Sequence, residues 1–128
     1  LLLTFFYREM PQLITGGHLY LAMPPLYRLA QGPKTIYARD DADRERLLKS
    51  EFRANAKVEI SRFKGLGEMM PQQLKETTMR PGNRTLIQVQ VANGEEADDM
   101  VERLMGKKAE LRFQFIQENA AFATSVDV

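Results

Sequence analysis

The sequence predicts an α/β fold, and three observations support that class. Apolar side chains at helical spacing alternate along the chain with short runs of strand-compatible residues. Glycine and proline stand at the junctions between these segments, where the chain is expected to turn. A length of 128 residues, of which 44% are hydrophobic, is enough for one ordinary core.

The first predicted unit is a helix followed by a strand. The helix covers residues 1–14 and ends at Gly16-Gly17, because glycine favours a helix C-terminus. The apolar run 18–23, closed by Pro24-Pro25, predicts a core strand. Because Leu1 already falls inside the helical pattern, we expect the chain to be a fragment. The apolar residues of the helix share one face: Leu2, Phe5, Phe6, Met10 and Leu13.

The middle of the chain predicts a hairpin and a surface helix. Residues 26–29 continue extended, Gln31-Gly32-Pro33 turns, and 35–38 return as a strand. The charged segment 40–52 predicts a helix with one narrow apolar stripe, formed by Leu47, Leu48 and Phe52.

The second half continues the alternation. Residues 58–63 alternate apolar and polar side chains, which is typical of a half-buried strand. A tight loop follows at Lys64-Gly65-Leu66-Gly67, and Pro71 suits the first turn of a helix that runs to Met79. The remaining predicted elements are a strand over 86–91, an amphipathic helix over 97–105 and a last helix over 109–123.

Composition excludes several classes of protein. The chain has no cysteine, so disulfides, thiolate zinc sites and cysteine nucleophiles are ruled out. No apolar stretch approaches the roughly 18 residues that a membrane span needs, and no signal peptide is visible. We therefore expect a cytoplasmic protein with no membrane partner.

Charge is unevenly distributed although the net charge is only +1. Residues 57–84 carry six basic and three acidic side chains, whereas residues 94–128 carry four basic and eight acidic ones. A basic centre indicates a surface for nucleic acid or phosphate. The alternative is that these charges belong to solvated faces without a partner.

The segment Arg62 to Met69, followed by Gln73 to Met79, resembles the C-terminal portion of the B subunits of bacterial type IIA DNA topoisomerases, the gyrase and topoisomerase IV family. The resemblance covers nearly all the chain. Companion stretches agree in the same order: Leu1 to Arg8, His18 to Arg28, Leu104 to Gly106 and Phe115 to Asn119.

The resemblance implies that residues 1–56 form the C-terminal part of a Toprim domain, a Rossmann-like parallel sheet, and that 57–128 form the motif and an α+β tail. It implies an ATP-hydrolysing, magnesium-dependent enzyme that acts on double-stranded DNA as an A2B2 heterotetramer with an A subunit. The catalytic glutamate and the metal-binding aspartates of the family would lie upstream of Leu1. We therefore expect no catalytic or metal-binding residue in this chain, and no nucleotide site.

The resemblance and the basic centre together predict a DNA-backbone surface around the glycine-containing loop. Exposed backbone N–H groups of the loop would contribute beside the cationic side chains. The alternative is structural, with the loop glycines serving only to permit positive φ. The predicted DNA-binding residues are Arg28, Arg62, Lys64, Gly65, Gly67, Lys75, Arg80 and Arg84.

Other chemistry-bearing residues receive structural interpretations. Acids at 40–43 and 95–99 lie beside predicted helix starts, where capping and the helix dipole favour them. His18 is interpreted as a hydrogen-bonded strand residue. The four tyrosines are interpreted as core or strand residues, because the covalent tyrosine of the family resides in the A subunit, and Tyr27-Arg28 is the pair most suited to face DNA.

Three features favour the topoisomerase IV branch over the gyrase branch: the short link from Ala38 to Lys57, the absence of a tryptophan before Glu76, and Phe63 in place of tyrosine. The alternatives are a fragment of the gyrase branch and a stand-alone DNA-binding or protein-interaction module without catalysis.

Overall fold

The computed structural model describes residues 1–54 and 56–123. Its helices are α1 (Leu2–Glu9), α2 (Pro11–Thr15), α3 (Asp41–Ser50), α4 (Pro71–Leu74), α5 (Gly94–Met105) and α6 (Ala109–Asn119). Its strands are β1 (Tyr20–Ala22), β2 (Tyr27–Gln31), β3 (Lys34–Ala38), β4 (Glu59–Arg62) and β5 (Leu86–Gln88). Single 3₁₀ turns cover Leu66–Glu68 and Ala120–Phe122, and a π-helical segment covers Lys75–Met79.

The described residues form two compact units. The central unit is residues 22–87, and the terminal unit is residues 1–21 together with 88–123. The mixture of helix and sheet agrees with the predicted α/β class at that level. The division of the chain at residues 56 and 57 remains a prediction.

The central unit is built on a three-stranded sheet in the order β3-β2-β4, with both pairings antiparallel. The β2–β3 pair is the predicted hairpin, and its turn places Gly32 at φ +58. Leu29 on the middle strand is fully buried. It forms one core with Tyr27, Ala38 and Leu47, against which further apolar side chains pack: Ile36, Leu48, Phe52 and Val58.

The strand β4 is less buried than its alternating sequence predicts. All four residues of β4 are exposed, and Ile60 retains 49% of its accessible surface. The strand is at the sheet edge, so its contribution to the central unit is the hydrogen-bonded pairing with β2. The residues on either side of the strand are less exposed: Val58 packs against the core and Phe63 is buried.

Helix α3 is fixed at its N-terminus by carboxylates. The Asp40 side chain caps the helix by accepting from the Asp43 N–H at 2.8 Å. The buried Asp43 carboxylate accepts from the Arg39 N–H at 3.1 Å and from the Arg46 guanidinium at 2.5 Å. Hydrogen bonding to the Arg39 backbone, and then to Arg46, lowers the pKa of Asp43 below its ordinary value of 3.8.

In the terminal unit, the predicted helix 1–14 is two helices. The break falls at Met10, because Pro11 has no N–H to continue the hydrogen-bond ladder but suits the first turn of α2. The predicted glycine ending is confirmed, since Gly17 adopts φ +73 and the His18 N–H bonds back to the Leu13 carbonyl at 2.8 Å.

Helices α5 and α6 occupy the predicted positions in the terminal unit. Asn93 caps α5 by accepting from the N–H groups of Glu95 and Glu96. The Tyr7 hydroxyl donates to Asp98 at 2.5 Å, which joins α1 to α5. Arg103 of α5 binds Glu118 of α6 at 2.6 Å and stacks over the Phe115 ring at 5.5 Å.

The prediction that residues 18–23 form a core strand is wrong in its burial. Tyr20 and Leu21 of β1 remain 47% and 45% exposed. A strand of three residues has too little neighbouring surface to bury the side chains of both its faces. Within the described ranges, no helix is long and apolar enough to cross a membrane.

We predict that Asp43→Asn destabilises the chain by about 1–3 kcal/mol at neutral pH, because it weakens charge-assisted hydrogen bonds to a buried group. The native pKa of Asp43 is lowered, so its stabilising effect is complete above about pH 3.8 and is lost as pH falls through the native pKa. Urea unfolding at pH 7 and below pH 3.8 measures this difference. Glu45→Gln, an exposed carboxylate on the same helix, is the control; an equal effect of both variants would contradict the prediction.

Candidate nucleic-acid interface

The candidate site begins where β4 leaves the sheet. The Phe63 N–H donates to the Leu26 carbonyl at 2.8 Å, and the Phe63 ring is buried. Met69 is also buried, with its sulfur 3.9 Å from the Thr77 hydroxyl. The intervening segment Lys64–Glu68, which we call the glycine loop, is exposed throughout. It is therefore a surface loop held between two buried residues.

The glycine loop is closed by its own hydrogen bonds. The Glu68 N–H donates to the Gly65 carbonyl at 3.2 Å, and the Met69 N–H to the Leu66 carbonyl at 3.2 Å. The Glu68 carboxylate accepts from the Lys64 N–H at 2.6 Å. The sequence pattern predicts no role for Glu68, and its only signal is an acid four residues after the first residue of the loop.

Positive φ does not explain the two glycines of this loop. In the described part of the chain, positive φ occurs at Gly17, Gly32 and Gly82, and Gly65 is extended at φ −171. A Cβ added at Gly65 or Gly67 would have no heavy atom of this structure within 4 Å, apart from adjacent residues. The conformational interpretation of these glycines is therefore wrong, and their surface is open to an approaching molecule.

The predicted helix after the loop is confirmed, but its second half is π-helical. The Gln73 side chain accepts from the Met70 N–H at 2.9 Å at the start of α4. The Thr77 hydroxyl donates to the Gln73 carbonyl at 2.8 Å, in competition with the α-helical backbone bond. The Arg80 N–H bonds to the Lys75 carbonyl at 2.8 Å, five residues back. Single π turns inside helices often occur at functional sites.

The π-helical segment brings three of the predicted cationic residues together. Lys75 and Arg80 line one depression with Glu76 and neighbouring side chains. The Arg84 N–H donates to the Arg80 carbonyl at 3.0 Å, and its guanidinium donates to the Met79 carbonyl at 3.4 Å. All three side chains are exposed, as are Lys64 and Arg62.

Arg28 has a different environment from the other cations. It lies opposite Tyr37 on β3. Burial and the charge of Glu76 raise the pKa of Tyr37, and the positive charge of Arg28 partly offsets that increase. Its neighbour Tyr27 is buried and donates to Asp41 at 2.6 Å. Tyr27 is therefore a core residue, and only Arg28 of that pair remains a candidate.

Four acids of the two clusters have structural partners. Asp40 caps α3, Asp41 accepts from Tyr27 and Asp43 binds Arg39 and Arg46. Asp98 accepts from Tyr7 in the terminal unit. Among residues 1–54 and 56–123, no group of three acidic, histidine or cysteine side chains is arranged to hold a metal ion. A magnesium site needs free oxygens in near-octahedral geometry, whereas the carboxylates named here each accept a hydrogen bond from the protein.

The sequence containing this site matches a protein-family model. Residues 55–117 match the family described as DNA gyrase B subunit, carboxyl terminus. The chain belongs to the family of bacterial type II DNA topoisomerase B subunits and corresponds to their C-terminal part.

The chain is also similar in sequence to individual proteins of this family. The chain is 64% identical over 98% of its length to the B subunit of DNA topoisomerase 4 from Caulobacter vibrioides, and 56% identical over its full length to that from Bartonella bacilliformis. It is 49% identical over its full length to the B subunit of DNA gyrase from Halalkalibacterium halodurans. The chain spans only 18%, 19% and 20% of these three proteins, respectively.

We predict that Gly65→Ala and Gly67→Ala preserve stability or increase it by up to about 1 kcal/mol, because they restrict the unfolded chain and meet no obstacle in the folded one. Gly82→Ala is the matched control. Its φ of +88 predicts a loss of about 1–2 kcal/mol. Urea unfolding of the purified variants measures both effects, and a clear loss at Gly65 or Gly67 would show that these glycines serve the fold.

Proposed function

We propose that this chain is part of the B subunit of a type II DNA topoisomerase and that its glycine loop binds the DNA backbone. The supporting observation is the openness of Gly65 and Gly67, which neither φ nor crowding explains. Small residues let a partner's atoms approach the backbone closely. The N–H of Lys64 is already bonded to Glu68, so the amides of residues 65–67 are the proposed phosphate donors beside the lysine side chain.

The cations around the loop suit a phosphate-lined partner. Lys64, Lys75, Arg80 and Arg84 are exposed, and the last three are close together around the π-helical segment. Cationic side chains bind duplex DNA without reading its sequence, by displacing condensed counterions. Arg62 and Arg28 complete the proposed surface from β4 and β2.

In the complete enzyme we propose ATP-driven passage of one duplex through a transient double-strand break in another. Cleavage would join a DNA phosphate to a tyrosine hydroxyl of the A subunit as the phosphodiester bond breaks and the adjoining strand end leaves as a hydroxyl; a bound magnesium ion would supply stabilisation of the developing charge. The proposed contribution of this chain is to bind and orient the DNA. The partners are double-stranded DNA and the A subunit of an A2B2 assembly.

We further propose that β1 belongs to a larger, Toprim-type parallel sheet. Strand β1 exposes apolar side chains on both faces, as Tyr20 and Leu21 show. Strands that are apolar on both faces are typical of sheets covered on both sides. The curated relatives are about five times longer than the chain, which provides residues to cover them.

Of the two branches, we propose topoisomerase IV. Identity is 64% and 56% to the B subunits of two topoisomerase IV enzymes, against 49% to that of a gyrase. The short link from Ala38 to Lys57 and the presence of Phe63 agree with this assignment.

Lys64→Ala in the complete B subunit, assembled with the A subunit, should lower DNA affinity and flatten its salt dependence. Removal of one phosphate contact reduces the slope of log affinity against log salt by about 0.9. Titrations of a labelled duplex at several salt concentrations measure the slope. Lys49→Ala, an exposed lysine at the end of α3, is the control and should change neither quantity.

Gly67→Ala provides an independent arm of the same experiment. It should lower affinity by obstructing close approach while leaving the salt slope unchanged, because no charge is removed. Unchanged affinity in both Lys64→Ala and Gly67→Ala would contradict the proposed function of the loop.

The proposed contact with the A subunit is the outer face of α6. Phe113 and Ile116 are 62% and 63% exposed, whereas Phe115 on the opposite face is covered by Arg103. The Arg103–Glu118 ion pair fixes which face of α6 points outward. A helix with apolar residues on both faces is typical of a position between two partners.

Replacing both Phe113 and Ile116 with Ala should weaken the affinity for the A subunit at least about tenfold, as expected for loss of large apolar anchors. Glu110→Ala on the same helix is the control and should have little effect. Affinity is measured by titrating the labelled A subunit with the complete B subunit that carries each substitution. Equal affinity of the double variant and the control would exclude this face from the interface.

A further inference from the structure

We propose that Glu68 is a positioning residue that orients Lys64 toward the DNA backbone. The inference rests on the DNA-binding function proposed above for the glycine loop. Glu68 does not contact DNA in this proposal; its effect on binding passes through Lys64.

The geometry supports this role. The Glu68 carboxylate accepts from the Lys64 N–H at 2.6 Å, so one side chain bridges the two ends of the glycine loop. Gly65 and Gly67 impose little conformational restriction of their own, and glycine loses more backbone freedom on ordering than any other residue. A strong bond to a charged acceptor is a means of holding such a loop in one conformation.

Both ends of the glycine loop are anchored in the fold, so the bond from the Lys64 N–H to Glu68 restricts the backbone at Lys64. Phe63 is buried and hydrogen bonded to the Leu26 carbonyl, and Met69 is buried beside Thr77. The sheet thus holds the peptide that carries the Phe63 N–H, and Glu68 holds the next peptide, which joins Phe63 to Lys64. Because this peptide sets the direction in which the Lys64 side chain leaves the backbone, loss of the Glu68 bond releases the cation from one orientation.

The negative charge of Glu68 allows a positioning residue to be distinguished from a bystander by its effect on DNA affinity. Glu68 is exposed in a segment whose other charges are mostly positive. A negative charge beside a DNA backbone opposes binding, so its removal from a bystander position increases DNA affinity. A positioning side chain gives the opposite result, since loss of its acceptor oxygen from reach of the Lys64 N–H decreases affinity even where the surface becomes more positive.

The test uses the complete B subunit assembled with its A subunit, and binding of a labelled duplex at fixed salt. Glu68→Ala and Glu68→Asp should lower affinity about three- to tenfold, because the bond is lost or the shortened carboxylate cannot reach the Lys64 N–H. Glu68→Gln keeps the length and an acceptor oxygen, so it should bind DNA at least as tightly as the parent protein.

A double-mutant cycle shows whether the effect passes through Lys64. In a Lys64→Ala background, Glu68→Asp should have no further effect, because the orientation of an alanine does not matter for the contact. Full additivity of the two changes, or unchanged or increased affinity in Glu68→Asp, would overturn the inference. If Lys64→Ala itself has no effect, the proposed function of the loop fails first, so the two failures are distinguishable.

Discussion

The central unit depends on the hydrogen bonding of β2 along both of its edges. This strand pairs with β3 on one side and with β4 on the other, and its Leu29 is the most completely buried large side chain of the core. A middle strand has every backbone group satisfied within the sheet and can exclude water from the side chains packed over it. Helix α3 then covers this core through Leu47, with its start fixed by Asp40 and Asp43.

The candidate interface derives its geometry from this sheet. The strand β4 is exposed along its length, but its pairing with β2 determines where Phe63 enters the core. The glycine loop therefore starts from a fixed point and ends at another, Met69, which packs by the π-helical segment. Rigid ends and an open middle are suitable for a loop that binds a partner without reorganising the fold.

Charge and hydrogen bonding have different functions in this region. The exposed cations of the π-helical segment attract anionic groups over about a Debye length, and salt screens this attraction. The short-range bonds that Glu68, Gln73 and Thr77 make to the backbone determine local shape. Near α3, Asp40 caps the helix and Asp43 pairs with Arg39 and Arg46, and near α5 Asp98 accepts from Tyr7, so these acids stabilise the fold.

The sequence by itself determined the order of the elements, the β2–β3 hairpin, the glycine end of α2 and the family, because these depend on local patterns and on the motif from Arg62 to Met79. Tertiary structure decided the rest. The exposure of β1 and β4 depends on which surfaces are adjacent to them in space. The π-helical segment depends on which carbonyl accepts a hydrogen bond from the Thr77 hydroxyl. The hydrogen bond from the Lys64 N–H to Glu68 could not be predicted for the same reason, because a sequence does not show which N–H a carboxylate will accept from.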